Sequence, residues 1–235
     1  MWAVFIDQAR LAEEPTGYLA DLPAVRSLAR SPLRLTAPVT IFTGGNGAGK
    51  STLVEALAVA SHANPEGGSR NARFETAPLS VSSLWRSLTL TRSHNPRDVF
   101  FLRGETYAAL ADYYESITDP QLGSLHQLSH GEGLRRLIGR RFSPACLLFL
   151  DEPEDGLSSF AQLELLGTLW HLADAGAQVI MATHSPILAG IPGAQLLHVD
   201  DDGIRPVAFA DCDPVEGFSE FISDPAGTVR YLTAP

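Results

Sequence analysis

Gly44-Gly45-Asn46-Gly47-Ala48-Gly49-Lys50-Ser51-Thr52 separates two apolar segments of different character. Before it runs Val39-Thr40-Ile41-Phe42-Thr43, short and rich in β-branched residues, as a buried strand should read. After it comes Leu53-Val54-Glu55-Ala56-Leu57-Ala58, which reads as a helix continuing to about residue 61. Glycines let the backbone take a tight path, so that the amides of 45–50 can point inward at an anion. The first turn of the helix adds unpaired N–H groups and the positive end of its dipole. The spacing G-x-x-x-x-G-K-[ST], set between strand and helix, is that of a loop holding a nucleoside triphosphate. In such a loop Lys50 reaches the β- and γ-phosphates and the Ser51 hydroxyl ligates Mg²⁺. Gly44, Gly45, Asn46, Gly47, Ala48, Gly49, Lys50, Ser51 and Thr52 are therefore the expected nucleotide contacts.

Outward from the loop, the chain has 235 residues, 45% of them hydrophobic, which suits one globular domain, or one domain with a small subdomain. We expect a single domain over 1–235 with an inserted helical lobe at about 75–142. No run approaches the ~20 apolar residues of a membrane span. The N-terminus lacks the basic start, apolar run and cleavage site of a signal peptide. Two cysteines, Cys146 and Cys212, are too few for a disulfide framework or metal cluster, and Cys146 reads as a buried small hydrophobe. A reducing cytoplasm is the expected location. The net charge of -10 argues against wrapping nucleic acid over the whole surface. The densest basic cluster, Arg135, Arg136, Arg140 and Arg141, reads either as a phosphate or nucleic-acid surface or as a solvated, ion-pairing face.

Strands are expected at 2–7, 39–43, 145–150, 177–182 and 195–199, with an edge hairpin through Asp200-Asp201-Asp202-Gly203 into Ile204–Val207. Helices are expected near 22–30 and over 131–142 and 159–174, with a helical turn at 186–190. Between 71 and 127 the pattern is weaker, with strands near 73–76, 87–91 and 98–102 and a helix at about 104–116. Strands alternating with helices give an α/β fold around a mostly parallel sheet.

Three further segments carry chemistry. Leu147-Leu148-Phe149-Leu150-Asp151-Glu152-Pro153 is an apolar strand ending in two carboxylates, where the ligand crevice of a parallel sheet lies. Asp151 is suited to hold Mg²⁺ and Glu152 to orient or deprotonate an attacking water. Val179–Ala182 leads into Thr183-His184-Ser185-Pro186, so His184 opens beside Glu152 if both strands are central. A neutral imidazole there can hydrogen-bond the γ-phosphate or the water. In Leu128-Ser129-His130-Gly131-Glu132, Ser129 caps a helix and Glu132 completes a capping box. The same helix start is an anion site, one that a second copy of the chain could supply.

Gly44–Thr52, Leu128–Glu132, Leu147–Pro153 and Ala182–Ser185, in this order, resemble the ATP-binding cassette (ABC) ATPases over roughly residues 2–207. The closer likeness is to small standalone bacterial ABC-type, or AAA-family, ATPases carrying Leu150-Asp151-Glu152-Pro153-Glu154 and Ala182-Thr183-His184-Ser185-Pro186. The resemblance implies a P-loop NTPase fold with a mostly parallel central sheet, an antiparallel edge and a small helical lobe. It also implies ATP and Mg²⁺ as ligands, ATP hydrolysis, and an ATP-induced head-to-tail homodimer. In that dimer Ser129, Gly131 and Glu132 would belong to the signature that meets the γ-phosphate held by the partner's phosphate loop. Glu154-Asp155-Gly156-Leu157-Ser158 would be the loop that communicates across the dimer. Three departures stand out. His130 replaces the usual glycine, Ser158 replaces the usual aspartate, and no junction glutamine is evident near Phe100-Phe101-Leu102-Arg103-Gly104-Glu105, where Arg103 or Glu105 could take over metal or water contacts. Tyr18 sits where transporter members place an adenine-stacking aromatic, but reads first as an ordinary surface or packing tyrosine. The functions implied are a soluble ATP-hydrolysing switch acting on an unidentified protein effector, a transporter's ATP-binding subunit, and a DNA-repair or phage-defence ATPase on nucleic acid.

Overall fold

The computed structural model describes residues 4–65, 68–69, 81–104, 107, 112, 130–141 and 144–234. Among these, ten strands form two sheets. The larger has the order β10-β9-β3-β8-β7-β6-β4. Within it β3 (Val39–Thr43) lies between β9 (Gln195–Asp200) and the central strand β8 (Gln178–Ala182). Beyond β8 lie β7 (Cys146–Asp151) and β6 (Asp98–Arg103), and these five strands run parallel. The edges are antiparallel: β10 (Gly203–Pro206) on β9, and the two-residue β4 (Gly68–Ser69) on β6.

Every residue of β3, β7 and β8 is buried. A parallel sheet covered on both faces demands this, and it is why these strands read as mostly apolar runs, with Thr40, Thr43 and Gln178 buried among them. Alternation then splits each strand between two cores. Leu148 and Leu150 pack with Leu134, Leu137 and Ile138 of α5 (His130–Arg141) and with Leu165 and Leu169 of α6 (Ser159–Asp174). Leu147 and Phe149 pack on the opposite face with Leu53, Val54 and Leu57 of α3 (Lys50–Ala60).

A second sheet, of order β2-β1-β5, covers α3 from its far side. It joins β1 (Ile6–Leu11), β2 (Leu33–Arg34) and β5 (Leu88–Arg92), all antiparallel. The first strand therefore lies over Ile6–Leu11 rather than 2–7. Antiparallel pairing with Leu88–Arg92 sets its register, which shifts between Ile6 and Gln8; beyond the shift, buried Ala9 lies between the less buried Gln8 and Arg10. Two side-chain amides tie this sheet to the larger one at the end away from the glycine loop. The Gln178 carboxamide accepts from the N–H groups of Phe5 and Ile6 (both 2.9 Å) and donates to the Ile6 carbonyl (3.0 Å). Gln195 accepts from Thr36 N–H and donates to the Arg34 carbonyl.

The other elements are short α1 (Tyr18–Asp21), α2 (Pro23–Arg30), α4 (Leu84–Ser87), α7 (Pro186–Ala189), α8 (Asp213–Ser223) and α9 (Pro225–Leu232). Neither α8 nor α9 buries a residue, so Phe218, Phe221, Tyr231 and Leu232 stand exposed rather than packed on the core. Buried Cys212, with half-buried Pro214 and Val215, attaches the pair to the main core. The strand expected at 73–76, most of the helix at 104–116 and, of the lobe expected at 75–142, the stretch 113–129 fall outside the described residues. No described helix is long and apolar enough to cross a membrane.

Candidate functional site

The glycine loop leaves β3 with Gly44 at φ +126°, and a Cβ there would lie 2.1 Å from the carbonyl oxygen of Val199. Glycine is thus required twice, by backbone angle and by the close approach of β9. Gly49, at φ +94°, caps α3, whose first residues are Lys50, Ser51 and Thr52. Cβ atoms added at Gly45 or Gly47 would meet open space, so this side of the loop is clear for a ligand. The buried Lys50 ammonium donates to the carbonyl oxygens of Gly44 and Gly45, both at 2.8 Å. Burial lowers its pKa below the ordinary lysine value, against the pull of Glu152 first and Asp151 next, which favour the charged form.

Ser51 and Thr52 line a cavity of about 360 Å³ together with Asp151 and Glu152 at the end of β7. Asp151 is buried, in register with Ala182 on one side and Arg103 on the other. Glu152 is half-buried at φ +48°, and its N–H donates to the Ala182 carbonyl at 3.0 Å. That turn brings its Oε1 to 3.7 Å from Nε2 of His184. The expected meeting of β7 and β8 residues is present.

Glu154, expected in the loop that communicates across the dimer, makes contacts with Thr183 and His184 that were not read from the sequence. Its Oε1 accepts the N–H of His184 at 2.6 Å, and its carboxyl also bonds Thr183. Burial raises its pKa above the ordinary glutamate value, against these hydrogen bonds. Only its place one turn past Asp151 hinted at this. Glu55 is a second such residue. It pairs with Arg103 across the cavity wall and accepts the Ser82 N–H at 2.8 Å. A glutamate on an apolar helix gives little sign of this, because its partners lie 27 and 48 residues further along the chain. Tyr18, at the start of α1, also lines the cavity and is otherwise exposed.

The signature segment is set apart. Gly131 and Glu132, in the first turn of α5, do not line this cavity. A Cβ at Gly131 would meet that of Ala161 at 2.6 Å, so the start of α5 lies against the start of α6. Ser158 caps α6 by accepting the Ala161 N–H at 3.3 Å, a local task for the residue that replaces aspartate. Ser129 and Glu105 fall outside the described residues. Of the arginine cluster, only the side chain of Arg136 is described, and it is exposed.

The residues present fit Mg²⁺ and a nucleoside triphosphate. A glycine cradle with one clear side, a buried ammonium at its base, and a hydroxyl and carboxylate in one cavity form a hard-oxygen donor set suited to a small divalent cation.

Two family profiles cover successive parts of the chain. Residues 22–110 match one described as "AAA domain", and residues 124–190 match "AAA domain, putative AbiEii toxin, Type IV TA system". A Streptomyces coelicolor protein named "Putative ABC transporter ATP-binding protein SCO2324" is 30% identical over 216 residues, 78% of this chain and 36% of that protein. Dictyostelium discoideum "ABC transporter G family member 10" is 27% identical over 172 residues, 63% of this chain and 12% of that protein. The chain thus spans about a third or less of the length of these curated relatives. Among solved structures, the SMC head domain from Thermotoga maritima superposes with a TM-score of 0.50 at 14% identity, covering 87% of this chain and all of that one, a likeness of fold. A glycine loop, an acidic strand end and a histidine-bearing strand end on one parallel sheet, joined to these matches, place the chain among the ABC-type P-loop ATPases.

Proposed function

We propose that this chain binds ATP with Mg²⁺ and hydrolyses it to ADP and phosphate, and that ATP closes two copies head to tail. One observation carries the reading: Lys50, Ser51, Asp151, Glu152 and His184 all sit at the C-terminal ends of β3, β7 and β8, three neighbouring parallel strands. The backbone amides of the glycine loop and the Lys50 ammonium hold the phosphates. Ser51 and Asp151 would hold Mg²⁺, which supplies charge neutralisation on the phosphate oxygens. Glu152 orients the attacking water and takes its proton. His184, beside Glu152 and fixed through its N–H by Glu154, hydrogen-bonds the γ-phosphate or that water. Catalysis on this plan is positioning and charge stabilisation within one crevice.

Closure brings Ser129 and Gly131 of one copy to the γ-phosphate held by the other. The reading is supported by Gly131 and Glu132 lying away from their own chain's cavity. The test is phosphate release together with sedimentation in ATP, for wild type and Glu152→Gln. We expect the variant to bind ATP, to lose turnover by roughly a hundredfold or more, and to accumulate as a dimer. Unchanged turnover would remove Glu152 from the role. We further propose that the switch works in the cytoplasm on a protein effector. A second reading, an ATP-binding subunit of a transporter, is favoured by the names of both curated relatives. Recovery of a membrane-spanning partner from detergent extracts distinguishes it.

A further inference from the structure

We propose that Arg103 reads the terminal phosphate of the bound nucleotide, and that Glu55 holds the guanidinium until that phosphate competes for it; this rests on the ATP reading above. The cavity beside the glycine loop is rich in carboxylates. Glu55, Asp151, Glu152 and Asp155 line it, and Arg103 is the one cationic side chain among the described residues that do. A triphosphate carrying Mg²⁺ is still an anion, so a lining cation decides how favourably its outer end is received.

Arg103 is placed for this by the sheet. It ends β6 directly beside Asp151 of β7 in parallel register. Two residues earlier on the same strands, Phe101 and Phe149 pack into the core shared with α3, so alternation turns Arg103 and Asp151 to that same face. Glu55 lies one helical turn beyond Ser51 on α3, so the two share a helix face. A guanidinium held by Glu55 is therefore held beside the proposed metal-binding hydroxyl. The pair is positioned with care: Glu55 also accepts the Ser82 N–H, and the Arg103 guanidinium lies 5.3 Å from the centroid of the Phe101 ring.

A largely buried carboxylate–guanidinium pair adds little to stability, because the desolvation of both groups offsets their attraction. On the wall of an anion cavity it has another use. The planar fork of arginine offers several donors and suits phosphate oxygens as well as carboxylate. A nucleoside diphosphate ends one phosphate short and cannot draw the fork away from Glu55. The exchange is also poised to reach the acidic loop. Arg103 is followed by Gly104, where a Cβ would lie 2.2 Å from the Glu152 carbonyl oxygen and 2.6 Å from Asp155 Cβ, so the backbone after Arg103 abuts that loop.

Calorimetric binding of a non-hydrolysable ATP analogue and of ADP, both with Mg²⁺, tests this in wild type, Arg103→Ala, Glu55→Gln and the double variant Glu55→Gln/Arg103→Gln. Arg103→Ala should cut the preference for triphosphate over diphosphate about tenfold or more, with ADP affinity held within about twofold. Glu55→Gln, which frees the guanidinium from a charged partner, should strengthen triphosphate binding alone. The double variant keeps the buried volume and a neutral hydrogen bond, so it should reproduce the lost preference even if Arg103→Ala folds poorly. Equal weakening of both nucleotides by Arg103→Ala, or no gain from Glu55→Gln, overturns the proposal and leaves the ATP reading standing. If wild type binds neither nucleotide, or binds both no better than Lys50→Ala, the ATP reading falls and takes this proposal with it.

Discussion

At Glu152 the backbone adopts φ +48°, a left-handed conformation that costs a non-glycine residue about 1–3 kcal/mol. The strain is spent at the position where the carboxylate must leave the strand direction and face His184. Glu152→Gly should therefore separate the two roles. We expect a protein with an unchanged or raised melting temperature, by up to about 1 kcal/mol in stability, and with turnover lost. A fall in melting temperature would mean that the left-handed turn is not strained. Glu154 yields a pH prediction. Its folded pKa lies above the ordinary 4.5 because burial penalises the charge, so the folded state holds the proton longer than the unfolded one. Its contribution is present below the unfolded pKa and is lost as pH rises from 4.5 through the folded value. Glu154→Gln keeps an acceptor for the His184 N–H and removes the titration. Denaturation midpoints measured across that window should fall with pH in wild type and stay flatter in the variant. Parallel slopes would assign the effect elsewhere.

At the scale of elements, the junction of α5 with α6 depends on a missing methyl group. The 2.6 Å approach at Gly131 means that Gly131→Ala should force the two helix starts apart, at about 1–3 kcal/mol, with recovery in Gly131→Ala/Ala161→Gly. Thermal unfolding of the four proteins in this cycle checks it, and additive losses would rule the contact out. Elements like these were legible to unequal degrees, for physical reasons. β3, β7 and β8 announce themselves because burial on both faces leaves no charged residue in the middle of each run. β5 is expected at 87–91 and lies at Leu88–Arg92, but two-residue β2 and the bounds of β1 do not announce themselves, because each is short and partly exposed and their pairing is a long-range choice that local pattern cannot carry. The glycine loop and the acidic strand end were readable as contiguous motifs. Glu55 with Arg103, and Glu154 with Thr183 and His184, were not, because each is a meeting of distant segments.

Over the whole molecule, the phosphate-facing chemistry lies at one end of the parallel strands and the amides of Gln178 and Gln195 at the other. Gln178 is fully buried and satisfies three main-chain groups of Phe5 and Ile6. Gln178→Leu would orphan all three, and we expect a loss of about 2–5 kcal/mol, given 1–3 for each buried group left unpaired and partial relaxation. A denaturant midpoint within error of wild type would exclude it. The amide has a kinetic consequence as well. Because one side chain bridges two sheets that share no strand, the amide protons of Phe5 and Ile6 cannot reach solvent by fraying of the small sheet alone. They should exchange with deuterium at the slow pace of β8, so that the two sheets behave as a single cooperative unit in native-state exchange, and Gln178→Leu should speed exchange at Phe5 and Ile6 while β8 stays slow.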